Sequence, residues 1–203
     1  MYKRIFEGGP VYLVTMGYSV TPEICKILST LPVMGINFAA HYRVPNARAT
    51  FFADRRVWRW GKDRLLAQPG KLFTLGDKKH VDHIRVRHLR RGKTAGLSRD
   101  PAILNHGNSS GYAAISLAIH LGADPIYLVG FHMKPEPGTG KIHAEDGIYE
   151  MPTSPVCFQS TLKYFPSLAA DAKLMGVSII NTTMDSELTC FEKLPLSETL
   201  CVS

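Results

Sequence analysis

The sequence predicts an α/β protein, with a single doubly wound and mostly parallel sheet covered by helices on both faces, Rossmann-like, over residues 1–203. Three observations carry this expectation. Short apolar runs rich in β-branched residues, such as Pro10 to Met16 (PVYLVTM), lack the polar alternation of a one-sided sheet and suit strands buried on both faces. Each such run ends in a Gly or polar turn that opens a helical pattern. Strand and helix signals then alternate along the chain with no internal repeat, which is the mark of parallel crossover units.

After the first run, Gly17-Tyr18-Ser19 forms a turn, and Thr21-Pro22-Glu23 reads as a helix start. Thr21 is a suitable N-cap, and Pro22 falls at the first helical position, where its missing N–H costs nothing. Ile24, Ile27 and Leu28 give the helix an apolar face. A second strand over Val33 to Phe38 carries Asn37 near its end and closes a right-handed crossover. A third run, Ala49 to Ala53, reaches Asp54, followed by a stretch that reads as surface, Arg55 to Trp60. Lys71 to Leu75 and His83 to Leu89 read as shorter strands, the second with Ile84, Val86 and His88 alternating against Arg85 and Arg87. Thr94 to His106 reads as loop.

The stretch from Asn105 to Met133 (NHGNSSGYAAISLAIHLGADPIYLVGFHM) organises the rest. It predicts a small-residue loop, an apolar helix and a strand over Ile126 to Gly130. Asn108, Ser109, Ser110 and Gly111 lie where the helix begins, so backbone N–H groups there can hold an anion or a nucleotide phosphate. Gly130 and His132 fall at the carboxyl edge of the sheet, where open α/β folds bind ligands. Residues 134–155, rich in Pro and Gly, predict a long lid or binding loop. A helical segment from about Phe158 to Met175, broken at Pro166, a strand over Val177 to Asn181 and a terminal helix near Ser186 to Glu192 complete the pattern.

Composition bounds function. With 45% apolar and 20% charged residues, the chain is that of a folded globular protein. No apolar run reaches the roughly 18 residues of a membrane span, and the N-terminus lacks a signal-peptide pattern, which predicts a cytoplasmic protein. Cysteines at 25, 157, 190 and 201 have neither CxxC nor zinc spacing, which suits thiols in a reducing compartment. The net charge of +7 is concentrated between Lys78 and Arg99. Arg85, Arg87, Arg90 and Arg91 are therefore candidate contacts to nucleic acid or another anionic acceptor such as a glycan, with Trp58 and Trp60 as stacking partners; a solvated basic face is the competing reading. His132, His143, Glu145 and Asp146 have no H-x-H or H-E-x-x-H spacing, so no metal site is expected. No G-x-S-x-G elbow points to a serine hydrolase.

Gly17 and Ser19, then Asn37, Asp54, Ser110-Gly111-Tyr112-Ala113-Ala114, Tyr127 to His132 and the tail Ile179-Ile180-Asn181-Thr182-Thr183 with Ser186 and Leu188 together resemble a known group. They are similar to bacterial sialyltransferases that use CMP-sialic acid, to archaeal 6-hydroxymethylpterin diphosphokinase-like proteins and to uncharacterised bacteriophage proteins near both. The resemblance covers most of the chain. It implies a nucleotide-sugar-dependent glycosyltransferase, favours a CMP-type donor, requires no further cofactor, and places nucleotide contacts at Gly17, Ser19, Asn37, Ser110, Gly111 and Thr182. It gives His143 the role of general base toward an acceptor hydroxyl; His132, at the sheet edge, is the rival, and Asp54, at the end of a strand, can orient a substrate hydroxyl or bind a divalent cation. A phage-encoded protein would work in the host cytoplasm. Two departures stand out: Thr15-Met16-Gly17-Tyr18-Ser19 replaces a smaller, proline-containing turn, and His132 stands where the group has an acid. The alternatives are a nucleotide or nucleic-acid binding module without chemistry, and diphosphate transfer to a pterin-like substrate, which needs Mg²⁺ and acidic ligands.

Overall fold

The computed structural model describes residues 4–142 and 156–200. The elements are β1 (Val11–Val14), α1 (Pro22–Leu28), β2 (Val33–Ile36), α2 (Ala39–Tyr42), β3 (Ala49–Phe52), α3 (Arg55–Ala67), β4 (Lys71–Thr74), β5 (Val86–His88), β6 (Arg90–Arg91) and β7 (Ile103–Leu104). There follow α4 (Ser110–His120), β8 (Ile126–Val129), α5 (Val156–Leu162), α6 (Phe165–Leu174), β9 (Ile179–Asn181), β10 (Glu192–Lys193) and α7 (Leu196–Thr199). The main sheet has the order β10-β9-β8-β1-β2-β3-β4-β5, and every pairing in it is parallel. From β1 the chain winds outward through β5, then returns through α4 to place β8 against the other side of β1. The order of winding therefore reverses between β1 and β8, which opens a crevice at their carboxyl ends.

Both faces are covered, as the apolar runs require. Val11 and Leu13 of β1, with Met34, Phe51, Phe73 and Leu128, pack against Tyr112 to Ile119 of α4 and Phe165 and Leu168 of α6. The alternate residues Tyr12 and Val14, with Val33, Phe52, Leu72 and Val129, pack against Leu28, Phe38, Val57 and Leu65 from α1, the β2–α2 junction and α3. Helix α4 is buried over nearly its whole circumference, which accounts for its composition of Ala, Ile and Leu with little polar alternation.

Four expectations need correction. Arg55 to Trp60 is not a surface stretch; it opens α3, in which Val57, Trp58 and Leu65 are buried. The cations of this helix point outward while its aromatic residues point in, so the charge in the sequence hides an amphipathic pattern. The strand expected over His83 to Leu89 shrinks to β5, and Ile84, before it begins, is 98% exposed. The loop from Thr94 to His106 contains β7, which pairs with β6 in a separate two-stranded ladder. Ser186 to Glu192 forms no helix. The Ser186 hydroxyl donates to Phe131 O, the Glu187 N–H donates to His132 O at 2.8 Å, and the Leu188 N–H donates to Ser186 Oγ at 3.0 Å. These bonds draw the backbone away from helical partners. The last helix is instead α7, where the Tyr12 hydroxyl donates to Thr199 O at 3.1 Å.

The helical segment after Phe158 is divided into α5 and α6, with Pro166 in the first turn of α6, where its ring is tolerated. Of the expected lid, residues 134–142 are described. They form a turn closed by the Gly140 N–H donating to Glu136 O at 2.9 Å. Among the described residues no helix is long and apolar enough to cross a membrane.

Candidate functional site

At the reversal point lies a cavity of about 250 Å³. Gly17, Asn37, Asp54, Asn108, Ser109, Ser110, Gly111, Gly130 and His132, all expected as site residues, line it together with Phe38, Phe131, Lys134 and Ile142. They come from the ends of β1, β2, β3 and β8, from the start of α4 and, for Ile142, from the segment after β8, so residues far apart in sequence meet because parallel strands all end at one edge of the sheet. Ser19 and Thr182 are not in the lining. The Thr182 hydroxyl donates to Leu128 O at 2.8 Å and serves the β8–β9 junction. His143 lies outside the described residues, as do Glu145 and Asp146; Ile142, its chain neighbour, lines the cavity.

The loop into α4 leaves the start of the helix open. Ser109 occupies the N-cap position with extended backbone, yet its hydroxyl makes no capping bond. The Ser109 N–H donates to His106 O at 2.7 Å and the Asn108 N–H to His106 Nδ1 at 3.1 Å. Ser110, Gly111 and Tyr112 follow, and their N–H groups have no acceptor among the described residues. They add to the positive end of the helix dipole, the arrangement that attracts a phosphate. Asn108 itself stands at φ 55, a conformation that Asn tolerates better than most residues. A Cβ on Gly111 would come within 2.8 Å of the Phe131 ring, so glycine there lets α4 approach the end of β8.

Asp54 is more firmly held than a free catalytic carboxylate. Its Oδ1 accepts the Arg56 N–H at 2.8 Å, capping α3, and its Oδ2 accepts from Arg56 Nε at 2.8 Å. Partial burial pushes the carboxyl up, but the Arg56 side chain, its backbone N–H and the Arg55 charge outweigh that, so Asp54 stays ionised below the usual carboxylate range. Asn37, at φ 53, accepts the Ala53 N–H on its Oδ1 at 3.4 Å, joining the ends of β2 and β3.

His132 is 3% exposed. Its Nδ1 lies 3.2 Å from Gly130 O, a contact that requires the proton on Nδ1. Nε2 is buried with no hydrogen-bond partner. The Tyr18 ring stacks on the imidazole with centroids 3.6 Å apart, and the Tyr18 hydroxyl donates to Asp185 Oδ2 at 2.6 Å. Asp185 Oδ1 stands 3.7 Å from His132 Nε2, and Lys134 Nζ 3.6 Å from Asp185 Oδ2. Burial lowers the imidazole pKa further than Asp185, the Gly130 carbonyl and Glu136 raise it, so His132 is neutral near pH 7. Tyr18 thus covers the histidine. Asp185 was invisible to sequence reasoning, since it reaches the site from the β9–β10 loop only because Phe131 and His132 are strapped to that loop by Thr183, Ser186 and Glu187.

The basic residues divide. Arg85 donates to the carbonyl oxygens of Leu66 and Gln68, the latter at 2.6 Å, and so anchors the end of α3. Arg90 pairs with Asp100 at 2.7 Å. Arg87 and Arg91 are exposed. Of the tryptophans expected to stack, Trp58 is buried beside Phe52, and Trp60, half-buried, packs on Phe38, because α3 turns both rings toward the sheet. Among the described residues no group of three His, Cys, Asp or Glu side chains is placed to hold a metal ion. Comparison of the chain with protein-family models, with curated proteins and with solved structures finds no match in any of the three.

Proposed function

We propose that this protein is a nucleotide-sugar-dependent glycosyltransferase, with the donor nucleotide in the cavity at the β1/β8 reversal and its phosphate on the N–H groups that open α4. The observation that carries the reading is the convergence of an uncapped helix start and a buried imidazole with an unpartnered Nε2 on one cavity. The apolar walls, Phe38, Val57 and Phe131, suit a base or sugar face, and the polar groups are few and clustered, as in small-molecule sites generally. A histidine serves as base toward an acceptor hydroxyl: His132 within the cavity wall or His143 beyond Ile142. A neutral imidazole can take that proton near pH 7. The donor is of CMP type in keeping with the resemblance, and the acceptor is anionic.

The burial of His132 Nε2 favours a second reading, a nucleotide-binding module without transfer chemistry. Diphosphate transfer fits less well, because Asp54 is the single carboxylate in the described lining and Arg56 already occupies it. Thermal-shift measurement with CMP, UDP, GDP, ATP and their sugar conjugates tests binding; a rise with at least one nucleotide is expected. Donor hydrolysis or transfer by the wild type, lost in His132→Gln or His143→Ala with donor affinity retained, tests the chemistry. Binding with no turnover of any donor would select the module.

A further inference from the structure

One part of the basic stretch is built directly onto the candidate site. The His106 N–H donates to Lys93 O at 3.0 Å and the Gly107 N–H to Thr94 O at 2.9 Å, so the chain after β6 is bonded to the loop that opens α4. Asn105, which is buried, locks the two together. Its Oδ1 accepts the Lys93 N–H at 2.9 Å, and its Nδ2 donates to Ala95 O at 2.9 Å and Gly96 O at 3.1 Å. The Tyr112 hydroxyl donates to Gly96 O at 2.9 Å, and the Leu97 N–H donates to Asp171 Oδ2 at 2.7 Å, tying the same segment to α4 and α6. The backbone that carries Arg91, Lys93 and Arg99 is thus fixed at many points, although all three side chains are exposed.

These cations have no acidic partner among the described residues. Asp100, the nearest acid in sequence, pairs with Arg90, and Asp171 accepts backbone N–H. The Arg91 charge is felt at His106, whose imidazole is held below its ordinary pKa first by burial and then by that guanidinium. Arg91 ends β6 and Lys93 follows two residues on, its N–H held by Asn105; two residues of strand span roughly 7 Å, a spacing comparable with that of successive phosphates along a strand. A surface needed only for solubility requires neither the fixed backbone nor the absence of counter-charges.

We propose that Arg91, Lys93 and Arg99 form a track for the phosphate backbone of single-stranded nucleic acid, leading to the mouth of the cavity at Asn108. Arginine forks and an ammonium suit phosphate oxygens, and the track runs outside the cavity lining, which leaves the cavity to the donor nucleotide. The track names the anionic acceptor of the glycosyltransferase reading, but strand binding itself does not depend on transfer.

Fluorescence anisotropy with a labelled oligodeoxynucleotide tests it. Single-stranded binding should weaken about tenfold or more in Arg91→Ala/Lys93→Ala/Arg99→Ala, and the slope of log affinity against log salt should fall by about 2, the value for three fewer phosphate contacts on a single strand. The control Arg59→Ala/Lys62→Ala, on the exposed face of α3, should bind as the wild type does. Equal losses in both variants, no loss in the triple variant, or heparin binding as tightly and with the same sensitivity would overturn the assignment. Nucleotide thermal shifts measured on the same triple variant separate the two ideas. A retained shift with lost strand binding supports the track, whereas strand binding without any nucleotide shift in the wild type overturns the glycosyltransferase reading and leaves the track standing.

Discussion

Two turns in this protein have nearly the same local description and opposite fates. Gly17-Tyr18-Ser19 ends β1 and leads to α1; Asn108-Ser109-Ser110-Gly111 leads to α4. Both combine Gly and Ser ahead of a helix, and both are candidate phosphate cradles. In the first, the Gly17, Val20 and Thr21 N–H groups are committed to Thr15 Oγ1, Gly17 O and Ser19 O, and the Thr21 side chain caps α1. Gly17 packs so closely that a Cβ would lie 2.0 Å from Gly130 O. In the second, the helix starts without a side-chain cap and its leading N–H groups remain open. A glycine-rich turn at a sheet edge can therefore serve either strand packing or ligand binding. What decides is whether another strand needs the space.

The sharpest way to break this contrast is Gly17→Ala. Steric conflict with the Gly130 backbone should cost about 3 kcal/mol or more in denaturant unfolding, because neither β1 nor β8 can yield without disturbing the sheet centre. A loss under about 1 kcal/mol would show that the first turn has room for a ligand after all. The second turn should respond in affinity instead. Ser110→Pro, which removes one of the open N–H groups at the first helical position, where proline is tolerated, is expected to weaken nucleotide binding about tenfold in calorimetric titration while the melting temperature of the free protein moves little.

Acid sensitivity separates the regions further. His132 has a folded-state pKa below its ordinary value of 6.5, chiefly through burial. The unfolded chain therefore binds the proton more readily, and stability should fall as pH drops through about 6.5 toward the folded-state value. In His132→Gln this slope should be shallower, the remainder coming from His106 and His120, which burial lowers in the same sense. An unchanged slope between pH 7 and 5 would mean that Tyr18 and Asp185 do not seal the imidazole. The smallest effect concerns the caps. Thr21→Ala should cost about 0.5–1 kcal/mol, and Ser109→Ala almost nothing, since one hydroxyl caps a helix and the other does not.

Much of the fold was legible in the chain. The apolar runs at Val11, Val33, Ala49 and Ile126 are strands buried on both faces, and Thr21-Pro22 is the helix start it promised. Nine expected site residues line one cavity because each closes a strand or opens a helix at the carboxyl edge, and those positions are local features of a sequence. Thr182 lies outside the cavity lining and Arg85 is tied to the end of α3 for a common reason: their side chains are bound to carbonyl oxygens of distant segments. The α3 pattern was obscured by its cations. Ser186 to Glu192 lost its helix to bonds with Phe131 and His132, which only the folded chain brings near.

By itself, then, the sequence determined the fold class, the central strands β1, β2, β3 and β8 with helices α1 and α4, and the edge of the sheet where polar residues gather. These follow from periodicity, turn chemistry and apolar content, all of which act over a few residues. The tertiary structure decided which glycine turn stays open, that Tyr18 and Asp185 close over His132, and that Lys93 and Thr94 bond to the loop before α4. Those outcomes depend on close approach between segments far apart in the chain, where a few tenths of an ångström settle whether an N–H faces a carbonyl oxygen or a cavity.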